Sequence, residues 1–161
     1  MTPEPIVISI IEALQARDQF VLSSHARSDG ASIGSQLALA TALRHLGKSV
    51  RIINRDVPPP YLQSFPAIGD IEVAPAVAGT YDAAVVLECT TLNRTEVSGL
   101  DRYFVINVDH HAGNEMYGAL NWFDESATAC GEMVFDLIKG LGVPLTPDIA
   151  IWLYVAILTD T

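Results

Sequence analysis

Apolar residues fall along this chain in two periods. Val7, Ile10, Ile11 and Leu14 recur at helical spacing. Thr2-Pro3-Glu4-Pro5 in front of them reads as a helix start, with Thr2 as N-cap and prolines in the first turn. Short apolar runs of strand length follow at residues 20–24, 50–54, 83–88 and 104–109, with a weaker one near Ile71-Glu72-Val73. Helical spacing returns between them. Ile33, Leu37, Ala40 and Leu43 mark one face of a helix ending near Leu46, with Gly47 as its C′ residue. Val134, Leu137, Ile138 and Leu141 mark another over 129–141. Thr146-Pro147-Asp148, an N-cap followed by proline, opens a last helix that runs to about Leu158.

The remaining segments read as connections. Residues 25–35 are a polar, glycine-bearing loop. Pro58-Pro59-Pro60 stops any helix, and Tyr61 to Phe65 suits a short helical turn. Thr95 to Leu100 is expected as a short helix, and 66–81 and 112–127 as loops. Strands alternating with helices predict an α/β fold, a three-layer Rossmann-like domain whose mainly parallel sheet is flanked by helices and covered on both faces. There is no repeat, low-complexity tract or linker, so residues 1–161 are expected to be one domain. The abrupt stop at Thr161, just after an apolar helix, suggests a piece of a larger protein.

Composition narrows the function classes. Half of the chain is hydrophobic, enough for a real core. The net charge is -10, from 9 basic and 19 acidic residues, which argues against long nucleic acid as a partner but not against a small anionic substrate. No apolar run approaches the roughly 20 residues of a membrane span. Cys89 and Cys130 are too few for a disulfide scaffold, which points to the cytoplasm.

The chemistry gathers at the ends of the apolar runs, where α/β folds build their sites. Val105-Ile106-Asn107-Val108 delivers Asp109-His110-His111; Phe20-Val21-Leu22 leads to His25 and Asp29; Ala84-Val85-Val86-Leu87 ends in Glu88; Val155-Ala156-Ile157-Leu158 precedes Asp160. His25 and Asp29, four apart, suit one shared hard cation, or else a turn and a cap. Gly30 and Gly34 suit either close packing or a backbone held near a phosphate. Three adjacent ionisable groups after a core strand are costly unless hydrogen-bonded or metal-bound. Burial would raise the pKa of Glu88, and a cation would keep it ionised. His45 reads as structural, and Arg27, Arg94 and Arg102 as phosphate contacts or solvated charges. Acids and imidazoles from several strand ends suggest a metal centre, and two divalent ions roughly 3.5–4 Å apart would suit phosphoester hydrolysis.

These residues resemble the DHH phosphoesterase family, in its nanoRNase/pAp-phosphatase-like branch. The first motif of that family, His-x-x-x-Asp-x-Asp-x-x-Gly-Ser, reads here as His25-Ala-Arg-Ser-Asp29-Gly-Ala31-Ser-Ile-Gly34-Ser35. The naming motif is Asp109-His110-His111, the acid of the second motif is Glu88, and that of the fourth is Asp160. The resemblance implies a manganese-dependent hydrolase with two Mn²⁺ ions. His25 and Asp29 would hold one, His110 and Asp160 the other, and Glu88 would bridge. Asp109 would orient a neighbouring histidine, and His111 would meet the scissile phosphate or the leaving group. Arg27, Gly34 and Ser35 would lie near the substrate phosphate.

This chain departs from the family in three ways. Ala31 stands where a second aspartate is usual, so one of the two metals is expected to be weakened or lost. Glu88 replaces an aspartate, with the charge kept and a methylene added. Nothing matches the family's C-terminal DHHA1 substrate domain, so 1–161 is expected to be the DHH catalytic domain alone. The expected function is a phosphoesterase domain acting on short oligoribonucleotides, pAp or cyclic dinucleotides, impaired by Ala31 and by the missing domain. The alternative is a catalytically inactive nucleotide-binding or dimerisation module of the same fold. The helices carry enough apolar surface for a homodimer face, which the sequence does not locate. No Gly-x-Gly-x-x-Gly or Walker motif supports a generic nucleotide-binding domain.

Overall fold

The computed structural model describes residues 3–161. Its strands are β1 (Gln19–Ser23), β2 (Ser49–Asn54), β3 (Ile71–Val73), β4 (Ala83–Leu87), β5 (Val105–Asp109) and β6 (Leu120–Phe123). They form one sheet in the order β3-β2-β1-β4-β5-β6, with every pairing parallel. The chain moves outward from β1 through β2 to β3, then returns to the other side of β1 to lay down β4, β5 and β6. The reversal lies between β1 and β4, and the crevice of an open parallel sheet forms outside the carboxyl ends of the strands at such a point.

Four α-helices accompany the sheet: α1 (Pro5–Ala16), α2 (Gly30–His45), α3 (Cys130–Gly140) and α4 (Pro147–Asp160). Strand side chains alternate between two apolar clusters. Phe20, Leu22, Val85 and Ile106 join the apolar residues of all four helices in the larger cluster. Val21, Ala84, Val86 and Val105 face the smaller one, closed by loop residues such as Val77, Val97 and Leu100. The sheet is thus covered on both faces, by α-helices on one and by loops and short 3₁₀ turns on the other. No helix among the described residues is long and apolar enough to cross a membrane.

Glu4 is the N-cap residue of α1, and Pro5 occupies its first position; the expected cap, Thr2, lies outside the described residues. Gly47 has φ +82°, the left-handed conformation expected just past the end of α2. Thr146 caps α4 by accepting from the Ile149 N–H. Helix α2 lies against α4, and Gly34 sets their separation: a Cβ there would come 2.5 Å from the carbonyl oxygen of Trp152 and 2.8 Å from the nitrogen of Ala156.

Four boundaries differ from expectation. Residues 30–35 are helix, because the Asp29 side chain caps the chain at once and leaves a loop of only a few residues after β1. Helix α4 reaches Asp160 rather than stopping near Leu158. The 112–127 segment contains β6, a four-residue strand that pairs with the edge of β5 and turns Trp122 into the core. In place of a helix over 95–100 there are two 3₁₀ turns, Leu92–Thr95 and Leu100–Arg102, separated where Glu96 and Gly99 adopt positive φ.

Candidate metal centre

Each acid and histidine of the site is delivered by the end of a regular element. The loop after β1 carries His25 and leads to Asp29, the N-cap residue of α2. One Asp29 oxygen, Oδ1, accepts from the Ser32 N–H at 2.9 Å, and the Ser32 hydroxyl oxygen accepts from the Asp29 backbone N–H at 3.0 Å. The other oxygen, Oδ2, is left facing His25 Nε2 at 3.7 Å. Glu88 follows β4 directly with φ +61°, a left-handed backbone uncommon for a side-chain-bearing residue, and such strain collects at functional sites. Asp109 ends β5, with His110 and His111 just beyond it. Asp160 is the last residue of α4 and reaches the centre because α2 and α4 pack so closely.

The three imidazoles share one arrangement. In each, Nδ1 is tied to an oxygen: Ala26 O at 2.7 Å from His25, Ala127 O at 3.2 Å from His110, and Asp109 Oδ1 at 2.6 Å from His111. With Nδ1–H donating to these acceptors, each Nε2 carries the lone pair. Each Nε2 then faces a carboxylate. For His25 the partner is Asp29. For His110 they are Glu88 Oε1 at 3.1 Å and Asp160 Oδ2 at 2.9 Å; for His111 it is Glu88 Oε2 at 3.9 Å. A lone pair pointed at a carboxylate is repulsive unless a proton or a metal cation lies between them. An Nδ1 held by an oxygen with Nε2 free is the usual preparation of a metal-ligating histidine.

Two groups of residues have donor atoms close enough to hold an ion, His25, Asp29 and Glu88 in one and Glu88, His110 and His111 in the other; within each, the atoms lie within 4.8 Å of one another. Glu88 belongs to both. Asp160 Oδ2 adds a buried carboxylate oxygen beside His110 without a hydrogen bond of good geometry. Burial pushes the Glu88 carboxyl up to about 8; His111 opposes this, and the charges of Asp160, Asp29 and Asp109 add to it. No lysine or arginine is paired with Glu88, Asp109 or Asp160 among the described residues. The donor set, hard carboxylates with imidazoles, fits a divalent cation such as Mn²⁺.

The groups face a cleft of about 310 Å³, whose lining includes His25, Arg27, Asp29, Glu88, Arg94, His111 and Asp160. Arg27 and Arg94 supply its positive charge, and Arg27 pairs with Glu96 at 3.8 Å. Arg102 lies outside it, donating to Val77 O at 2.7 Å. Gly34 and Ser35 are not among its lining residues. Gly34 is pressed against α4, and the fully buried Ser35 hydroxyl donates to Ala31 O at 2.7 Å. Gly30 is another close approach, since a Cβ on it would meet the Thr159 side chain at 2.6 Å. Ala31 is 3 % exposed and offers no donor atom. Cys89 adjoins Glu88, but burial pushes its thiol up to about 12, so it is no nucleophile near neutrality.

Residues 19–157 match the DHH family, N-terminal domain. The chain belongs to the DHH family. This DHH domain is 34% identical, over 99% of its length, to the bifunctional oligoribonuclease and PAP phosphatase NrnA of Thermus thermophilus, and covers 50% of that protein. It is 29% identical over 94% of its length to the protein of that name from Bacillus subtilis, covering 49% of it. The chain therefore spans about half the length of the curated relatives it matches. Among solved structures, an exopolyphosphatase-related protein from Bacteroides fragilis superposes with a TM-score of 0.87 at 23% identity, over 97% of the DHH domain and 50% of that chain, a likeness of fold.

Sequence reasoning passed over Asn107, Asn114 and Asn121, which join in one hydrogen-bonded chain behind Asp109. A signal was available. Asn107 interrupts an apolar strand, and a buried amide requires partners.

Proposed function

We propose that this domain is the metal-binding catalytic part of a phosphoesterase acting on short oligoribonucleotides and pAp, with manganese as its metal. The observation that carries this reading is the shared posture of His25, His110 and His111, each with Nδ1 tied to an oxygen and Nε2 turned to a carboxylate. His25, Asp29 and Glu88 would hold one ion; Glu88, His110 and Asp160 would hold the other, with His111 at hand. Bound divalent ions supply Lewis acidity to water and to a phosphoryl oxygen. The chain's own groups do the rest. Arg27 and Arg94 draw a phosphate into the cleft, and His111, anchored on Asp109, presents Nε2 towards it. The substrate class comes from the names of the relatives in Thermus and Bacillus, and the acidic surface agrees with short rather than long nucleic acid.

Ala31 supports a second reading, a domain of the same fold with reduced or lost activity, serving as a nucleotide-binding or dimerisation module. Calorimetric titration of the metal-stripped protein with Mn²⁺, beside an Ala31→Asp variant, separates the two. One ion per chain in the native protein and two in the variant would mean that the second site lacks the ligand an aspartate at 31 supplies, and would favour the second reading. Two ions in both would mean that the site is complete without Asp at 31. No binding in either would overturn the metal assignment. The full-length protein should then release phosphate from pAp and mononucleotides from dinucleotides, with a cyclic dinucleotide as comparison.

A further inference from the structure

Asp109 is fully buried, and its two carboxylate oxygens serve different ends. Oδ1 takes the ring Nδ1–H of His111 at 2.6 Å and the backbone N–H groups of His110 at 2.9 Å and His111 at 3.3 Å. Oδ2 accepts from the side-chain amide of Asn114 at 3.0 Å. The Asn114 amide is itself anchored. Its Nδ2 also lies 3.2 Å from both Asn107 Oδ1 and Cys89 O, so its two hydrogens are shared among three acceptors; its Oδ1 accepts from Asn107 Nδ2 at 2.7 Å and from the Met116 N–H at 2.9 Å. Asn107 sits on β5 with no exposed surface, and its second amide hydrogen goes to Asn121 Oδ1 on β6 at 3.0 Å. The chain of amides therefore runs from two strands of the rigid sheet to the back of one carboxylate.

We infer that Asn114 is a positioning residue of the site: it fixes the rotation of the Asp109 carboxylate, so that Oδ1 holds the Nδ1–H of His111 and Nε2 is left for the cleft. Turning the carboxylate about its Cβ–Cγ bond would draw Oδ1 away from the His111 ring; the backbone N–H groups of His110 and His111 limit that turn but leave Oδ2 free to swing. A donor on the second oxygen removes that freedom. The donor is neutral, which matters as much as its position. Lysine or arginine there would take up the negative charge that stabilises His111, and aspartate would repel it. Asparagine gives direction without spending the charge.

The inference deepens the phosphoesterase reading and rests on it only where turnover is measured. The structural part is tested on this chain, metal-free and labelled with ¹⁵N-histidine, through the tautomer and the Nδ1 proton of His111 in NMR spectra. The native protein is expected to show His111 as the Nδ1–H tautomer with a slowly exchanging, downfield proton. In Asn114→Ala, and in the isosteric Asn114→Asp, that proton should be lost to exchange and the tautomers should mix, while the backbone amide spectrum of the sheet persists. In the full-length enzyme the same variants should lower kcat on pAp by about 10- to 100-fold, the usual cost of losing an outer-shell partner, with KM little changed. An unchanged His111 proton and tautomer in both variants overturns the inference, as does loss of the fold in both, which would make Asn114 merely structural. A lost proton signal combined with a native full-length protein that hydrolyses nothing would overturn the proposed function and leave the positioning intact.

Discussion

Two carboxylates do opposite things for stability. Asp29 serves the fold and the site with different oxygens, Oδ1 on the Ser32 N–H and Oδ2 towards His25. Asp29→Ser should keep the cap and the thermal midpoint yet lose Mn²⁺ affinity, whereas Asp29→Ala should lose affinity and also about 1 kcal/mol of stability. Parallel calorimetry and thermal melts check both; equal midpoints for the two variants would refute the cap. Glu88 is a cost to the metal-free fold, because burial raises its carboxyl from 4.5 to about 8. The folded state then binds the proton more tightly than the unfolded one, so the stability contributed by this group is greatest below about 4.5 and declines as pH rises towards about 8. Glu88→Gln should abolish that decline in chelator-treated protein, raise the midpoint near neutrality, and weaken Mn²⁺ binding. Denaturation curves at several pH values measure it; a Glu88→Gln protein with the native pH dependence would assign the decline elsewhere.

At the scale of elements, the separation of α2 and α4 decides whether Asp160 reaches His110. Gly34→Ala would put a methyl group 2.5 Å from a backbone oxygen of α4, where no flexible side chain can yield. Overpacking of this kind costs about 1–3 kcal/mol. The variant should unfold at lower denaturant and bind metal more weakly than its stability loss explains, since Asp160 moves with α4. Native metal affinity in a folded Gly34→Ala protein would show that this helix separation does not control the site. Much at this scale was legible in advance. Thr146-Pro147 announced α4 and Gly47 the end of α2, because caps and left-handed turns depend on local chemistry. β6 was not legible: Leu120-Asn121-Trp122-Phe123 has neither a long apolar run nor strict alternation, and it is a strand because β5 offers it an edge. The early start of α2 was hidden for a similar reason. Gly30, Ser32, Gly34 and Ser35 look like loop residues until Asp29 caps the helix and α4 packs against its two glycines.

For the molecule as a whole, the site gathers Asp29, Glu88, Asp109 and Asp160 in a chain already at -10, with arginines only at the cleft wall. Such an arrangement is stabilised by cations. Adding Mn²⁺ at about 100 times its dissociation constant should raise stability by about 2.7 kcal/mol, and a chelator should return it. The same addition to His110→Ala should do much less. If both proteins melt alike with and without Mn²⁺, the ions do not bind the folded state preferentially.

The sequence by itself determined the class of fold, the order of its main elements and the placing of His25, Asp29, Glu88, Asp109, His110, His111 and Asp160 at or just beyond the ends of those elements. Those follow from periodicity, caps and the cost of ionisable groups at the ends of apolar runs, all local in the chain. The tertiary structure alone decided which of these groups face one another. It set one Glu88 between two sets of donors, pressed Gly34 against α4, and ran a line of amides from β5 and β6 to the back of Asp109. Those relations join residues far apart in the chain, and only parallel pairing and helix packing bring them within reach of a hydrogen bond.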